Sequence, residues 1–211
     1  MTLFTIIFAS SVPTIQSTSI IDSIVQLLYI YLNPIFQTTL KQLTQLVFEL
    51  GEKLSQNIPY ELGRSNKATP APWVSQLFGG VNSIATQWNN QITQFYTNIP
   101  TIFERNGRTL LNFSTIKQTL YNAVDNLLGD LKKLFIDNIS ETILSIFNRF
   151  DLMEFINGER AIFNIQNSLD VFQQKVSDIF DKTKEQLNRT IDDAINFVLT
   201  FWDGVKERLL G

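Results

Sequence analysis

The chain contains no cysteine and no histidine. The first absence excludes disulfides, thiol nucleophiles and haem thiolates. The two together exclude ordinary zinc sites, and the second excludes any mechanism that needs an imidazole. A secreted protein with no disulfide must rely on packing alone. Proline is scarce, and none of the six residues falls after Pro100. Charge is missing from whole stretches. Between Met1 and Lys41 the only charged side chain is Asp22, and between Lys67 and Glu104 there is none. Residues 1–103 carry 8 charged side chains against 29 in residues 104–211, and the first half uses Ser, Thr, Asn and Gln instead. The net charge of −3 supplies neither the basic face of a nucleic-acid binder nor a polybasic patch for anionic lipid, so no nucleic-acid partner is expected.

Apolar residues, by contrast, are plentiful. They make up 44% of the chain, with seventeen phenylalanines, enough for a real core and too many for a disordered chain. They recur at steps of three and four almost throughout, which predicts an all-α protein with no sheet, an elongated bundle of about six amphipathic helices. The clearest stretch is Asn167–Gly211, where Asn167 offers an N-cap. From there Leu169, Phe172, Val176, Phe180, Leu187, Ile191, Ala194 and Val198 line one face. The other face is charged, with Asp178–Lys182 and Glu185–Arg189 in the favoured acid-before-base order. From Ser168 to Asp203 such a helix spans roughly 54 Å at 1.5 Å per residue. A compact chain of this length is only roughly 43 Å across. The helix therefore bends, projects, or belongs to a long bundle.

Taken in order, residues 1–18 form an apolar segment in which Leu3–Phe8 followed by Ala9, Ser10 and Ser11 resembles a truncated secretory signal, although no Lys or Arg precedes it. Residues 19–58 read as an N-terminal helical hairpin. Its first arm, Ile20–Phe36, is apolar almost all round and suits a buried helix or, at the lower limit of length, a membrane span. Pro34 marks a kink or a new helix start, after which Phe36, Leu40, Leu43, Val47, Leu50 and Leu54 form a bundle seam. Residues 59–72, with three prolines and Gly63, read as a linker, and residues 73–211 as a helical bundle with a long C-terminal helix. Within that bundle, Asn98-Ile-Pro100 reads as a break and Asn106-Gly107 as a turn. Leu110 to Leu134 is one helix, Asp137-Asn138 a turn or cap, and Ile139 to Phe150 another stripe. Asp151-Leu-Met-Glu154 is a restart and Asn157-Gly158 a further turn.

The functional anomaly is the stretch Trp73–Ile99. Trp73, Leu77, Val81, Ile84, Trp88, Ile92 and Phe95 trace a helical stripe, and the opposite face holds only Ser, Thr, Asn and Gln. Such a face suits a bundle helix packed on several sides, a helix contacting lipid or lining a pore, or a self-assembly interface. This helix is expected to pack against the terminal one. Phe201 and Trp202 are a second candidate contact, because tryptophan favours the boundary between apolar and wet surroundings.

Nothing in the chain proposes a reaction. No glycine-rich phosphate loop or Ca²⁺-binding acidic loop is present, and Glu154 and Glu159 beside Asn157-Gly158 read as caps rather than a carboxylate pair. No enzyme activity, catalytic residue, cofactor or metal is expected. The expected function is association with lipid or another hydrophobic surface or ligand, in the general manner of exchangeable apolipoproteins. A structural, self-assembling helical protein and a membrane-inserting or pore-forming one are the alternatives. Asn112, Asn138 and Asn188 fit the N-glycosylation pattern, which agrees with a secreted protein; membrane association is the other setting.

Overall fold

The computed structural model describes residues 20–55, 72–105, 113–149 and 159–210, and within them each apolar stripe belongs to one uninterrupted helix. The side chains at several helix ends, Phe201 and Trp202 among them, lie outside this description, as do the turns expected at 106–107 and 157–158 and the restart at 151–154. The helices are α1 (Ile20–Ser55), α2 (Pro72–Arg105), α3 (Phe113–Arg149) and α4 (Glu159–Leu210). There is no sheet among the described residues, and the helices number four rather than the expected six.

The difference comes from breaks that the helices absorb. Pro34 lies inside α1, so residues 20–55 are one helix and not a hairpin. A proline removes the hydrogen bond to the carbonyl four residues back. That residue, Ile30, is 62% exposed, so water can replace the lost N–H. Pro100 likewise lies inside α2, five residues before its end. A helix was expected to end at Leu134, but the next residue, Phe135, is buried in the core face of α3. Steps of four then carry the core face through Leu131, Phe135, Ile139 and Ile143 without a break. Asn138, expected to end a helix, spends its side chain on the helix itself: its Nδ2 donates to the Leu134 carbonyl at 2.8 Å. Asn167 is not an N-cap, because α4 begins at Glu159 and includes Ala161–Ile165. At 52 residues α4 is about 78 Å long, against about 51–56 Å for its neighbours.

The helices make a square. α1 packs on α2 and α4, and α3 packs on the same two, leaving α1–α3 and α2–α4 as diagonals. Every adjacent pair is antiparallel. Tyr29 meets Tyr96 and Phe48 meets Phe78 across α1–α2. Gln76 bonds Ser145 across α2–α3, where Gly80 faces Thr142. Lys132 bonds Ser177 and Asp125 bonds Lys184 across α3–α4. Thr39 meets Thr183, and Glu49 meets Lys175, across α1–α4. This is up-down-up-down topology, and all four helices contribute to one apolar core. The helix Trp73–Ile99 was expected beside the terminal one; it lies diagonally opposite. Trp88 nevertheless reaches Phe180 across the core, with ring centroids 6.1 Å apart.

Among the described residues, two buried threonines interrupt this core. Thr39 and Thr183 are buried with their hydroxyls 2.8 Å apart. Each hydroxyl also lies within reach of the carbonyl four residues back, Ile35 at 2.9 Å and Ile179 at 2.8 Å. A hydroxyl has one proton. One threonine therefore donates across the α1–α4 seam while the other donates to its own helix, and the pair locks the register there.

The adjacent glycines of α2 have opposite reasons. A Cβ on Gly80 would meet Thr142 Oγ1 at 2.7 Å and Cγ2 at 3.3 Å, whereas one on Gly79 would meet nothing within 4 Å. Thr142 is stiff at χ1 and its hydroxyl is held by the Asn138 carbonyl at 2.7 Å, so it cannot simply turn away. Gly79→Ala will raise stability by about 0.5–1 kcal/mol through helix propensity. Gly80→Ala gains the same propensity but overpacks the seam at a cost of about 1–3 kcal/mol, so its net effect is destabilising. Urea titration of both variants checks this, and Thr142→Ala in the Gly80→Ala background restores the loss.

Candidate functional site

The stripe singled out in α2 is internal. Trp73, Leu77, Val81, Ile84, Trp88, Ile92 and Phe95 are all buried, because their three- and four-residue spacing sets them on the one face of α2 that meets the other helices. Phe95 lies edge-on to Phe36 at 6.2 Å and to Tyr96 at 5.2 Å, and Tyr96 lies edge-on to Tyr29 at 4.9 Å. The closed bundle presents none of these residues to a surface. The second expected contact, Phe201 and Trp202, lies in α4, with side chains outside the described residues.

What composition did not reveal is how poorly the polar atoms of this stripe are served. Trp73 Nε1, Trp88 Nε1 and the Tyr96 hydroxyl are buried without a hydrogen-bond partner. A buried donor left unmade costs about 1–3 kcal/mol. Burial, and secondarily the neighbouring Tyr29, pushes the Tyr96 phenol far above its ordinary value, so it stays neutral and protonated. α2 thus contributes the two largest buried rings, and Trp73, Trp88 and Tyr96 on its inner face each leave a polar group unsatisfied, as do the amide oxygens of Gln76 and Gln91 on the same helix.

From Trp73 to Thr101 the outer face of α2 is exposed and carries no formal charge. Thr86, Thr93 and Thr97 each donate to the carbonyl four residues back, at 3.2, 2.9 and 2.9 Å, and Gln87 bonds Ser83 at 3.2 Å. At the margins Gln37 donates to Asn89 and Gln76 to Ser145. Most of the face therefore turns its hydrogen bonds back on its own helix rather than toward another element.

Charge is concentrated on α4 and its partners. Lys175 pairs with Glu49 at 3.1 Å, Lys184 with Asp125 at 2.8 Å, and Arg189 with Glu185 at 3.5 Å, the last being one of the pairs expected from the sequence. The other expected pair is replaced at Asp178, which accepts from Gln174 at 2.9 Å. Asp192 has partners on α3: Lys117 at 2.5 Å and the Tyr121 hydroxyl, which donates to the same oxygen. Lys117 also lies 5.5 Å from the Tyr121 ring centroid. No local sequence signal could have found this cluster, since Asp192 lies 71 or more residues from both Lys117 and Tyr121.

Its electrostatics are simple. Partial burial raises the Asp192 carboxyl, but the Lys117 and Tyr121 hydrogen bonds outweigh that and hold it below its ordinary value. The Asp192 hydrogen bond, followed by that of Tyr121, raises Lys117. Burial and then the Asp192 bond raise Tyr121. A depressed carboxylate stabilises the fold above its ordinary value and loses that contribution as pH falls through the folded value. The Asp192→Asn variant will therefore melt at most about 4 °C below the parent at neutral pH, a limit set by solvent screening of so exposed a pair. The gap will close below about pH 4, as the parent carboxyl also protonates. Paired thermal melts across that range are the check.

Among the described residues no group of acidic side chains could hold a metal ion. No described helix is long and apolar enough to cross a membrane. The apolar cavity lined by Ile24, Leu28, Ile116, Leu120, Ala194 and Val198 has a volume of about 20 Å³, far too small for a lipid. A wide, open groove of about 780 Å³ between α1 and α4 is lined by Lys41, Phe48, Glu49, Lys175, Asp178 and Lys182 and mixes both signs of charge. Of the candidate glycosylation sites, Asn112 lies outside the described residues. Asn138 and Asn188 are half-buried within helices, Asn138 with its amide nitrogen engaged and Asn188 with an oxygen that has no partner. A used acceptor normally lies on a surface loop, and neither of these does. No protein-family model, curated protein or solved structure matches the chain.

Proposed function

We propose that this chain is a non-enzymatic protein that associates with lipid or another hydrophobic surface by opening its bundle and laying the α2 stripe on that surface. One observation carries the reading. The helix with no charged residue from Trp73 to Phe103 is also the one whose buried face holds Trp73, Trp88 and Tyr96 with their N–H and O–H groups unpartnered. At a membrane interface indole and phenol groups keep their rings in the apolar layer and regain hydrogen bonds to headgroups and water. The apolar cavity between α1, α3 and α4 is far too small for a lipid, which favours opening over enclosure, and the uncharged outer face of α2 from Trp73 to Phe103 removes the cost of bringing formal charges close to the apolar layer. The setting this implies is extracellular or membrane-associated.

The test uses vesicles containing brominated acyl chains and a chain whose only tryptophan is Trp88, made by Trp73→Phe and Trp202→Phe. Bromine quenches tryptophan only at short range, so Trp88 emission will fall on vesicle addition while far-ultraviolet helicity is kept. Unchanged emission, together with protein that floats free of the vesicles, would sink the reading.

A further inference from the structure

The outer face of α2 is unused within the bundle, and its chemistry names a partner. Gly79, Thr86, Asn90, Thr93 and Thr97 run along its centre, all exposed, at steps of seven, four, three and four. Gly79 is the odd member. A glycine inside a helix costs about 1 kcal/mol against alanine. Gly80 has a reason in Thr142, yet space above Gly79 is open to 4 Å and nothing in the bundle needs its missing Cβ. Small residues along a helix face let a second backbone approach closely. The threonine hydroxyls are already spent on their own helix, which leaves methyl groups and amides as what the face offers.

We infer that this face pairs with the same face of a second copy of the chain across a two-fold axis. The argument is one of charge. An isologous interface sets a surface against itself, so any net charge on it repels. Most of this molecule's surface would do so, with its 37 charged side chains, but the outer face of α2 from Trp73 to Thr101 has none. Asn and Gln amides carry both donors and acceptors and are therefore self-complementary. A charged partner would gain nothing here. Lipid would find no broad apolar area. The strip from Ser75 to Thr101 is about 39 Å long and about 10 Å wide, so two copies bury about 800 Å² in total. That is below the roughly 1,200 Å² of stable complexes, and the pairing is a weak, reversible one. The lipid reading rests on the buried stripe of α2 and draws only on the neutrality of this outer face, so either can fail without the other.

Sedimentation velocity over a dilution series of the full chain tests it. The expected result is a monomer–dimer equilibrium in the range from about 10 µM to about 1 mM, as suits so small an interface. The triple variant Thr86→Glu, Asn90→Glu, Thr93→Glu will dimerise at least tenfold more weakly, as will its lysine counterpart, and an equimolar mixture of the two will associate again. Gly79→Leu will also weaken the dimer at least tenfold without lowering the melting temperature, because a Cβ at this position meets nothing within 4 Å and points away from its own bundle. The variant Gln173→Glu, Gln186→Glu on the exposed face of α4 will behave as the parent. A parent that stays monomeric throughout, a glutamate variant that dimerises normally, or a mixture that fails to associate would each overturn the inference.

Discussion

Trp88→Ala will lower the melting temperature by about 6–20 °C, the largest effect expected of any single truncation in the core. Trp88 is fully buried and reaches across the bundle diagonal to Phe180, so its removal opens a cavity that four rigid helices cannot collapse to fill. Truncating a buried large aromatic costs about 3–5 kcal/mol. For a chain of this size each kcal/mol lowers the midpoint by about 2–4 °C. The comparison with Trp88→Phe separates volume from polarity. Phenylalanine keeps most of the ring and removes an N–H that has no partner, so that variant will lose well under half as much. Thermal denaturation followed by circular dichroism reads both. Equal losses for the two variants would mean that the indole is bonded after all.

The second large effect is on surface binding. With cysteine at positions 39 and 183, the only two thiols in the chain will bridge α1 to α4, where the native hydroxyls lie 2.8 Å apart. The oxidised protein will bind vesicles at least tenfold more weakly than the reduced one, because α1 and α4 can no longer separate. The same bridge closes a loop of more than a hundred residues and will stabilise the fold by about 5 kcal/mol. Reduction of the same sample supplies the control, since it changes no residue. If the oxidised form binds as well as the reduced form, opening of the α1–α4 seam has no part in binding.

The sequence makes much of the core legible. Phe36, Leu40, Leu43, Val47, Leu50 and Leu54 are buried as their seam spacing requires, and so are all seven members of the α2 stripe. Fold class follows from that periodicity, since each helix needs other apolar faces to cover its own. Helix number does not follow, because local punctuation competes with tertiary packing. Pro34 and Asn138 are breakers by propensity, yet one loses its hydrogen bond to water and the other repays its own helix. Leu134 looks like a helix end, yet buried Phe135 carries the stripe on without a break. The Thr39–Thr183 pair and the Lys117–Tyr121–Asp192 cluster are tertiary, and no window of sequence contains either. The uncharged stretch in α2 was visible in the sequence. Which side of it faced inward was visible too. That Trp73, Trp88 and Tyr96 have unbonded polar atoms was not, because that depends on what the other helices set against them.

Strict alternation of helix direction also fixes how the molecule behaves in a field. Each helix carries a macrodipole of roughly half a charge at either end. With every neighbour antiparallel, two positive and two negative termini meet at each end of the bundle. The four dipoles cancel in pairs, apart from the added length of α4. The backbone therefore lends the long axis almost no electrostatic polarity, and it gives a charged surface no reason to capture the molecule end-on. What remains to orient it is the lateral contrast between a charged flank on α3 and α4 and a neutral one on α2.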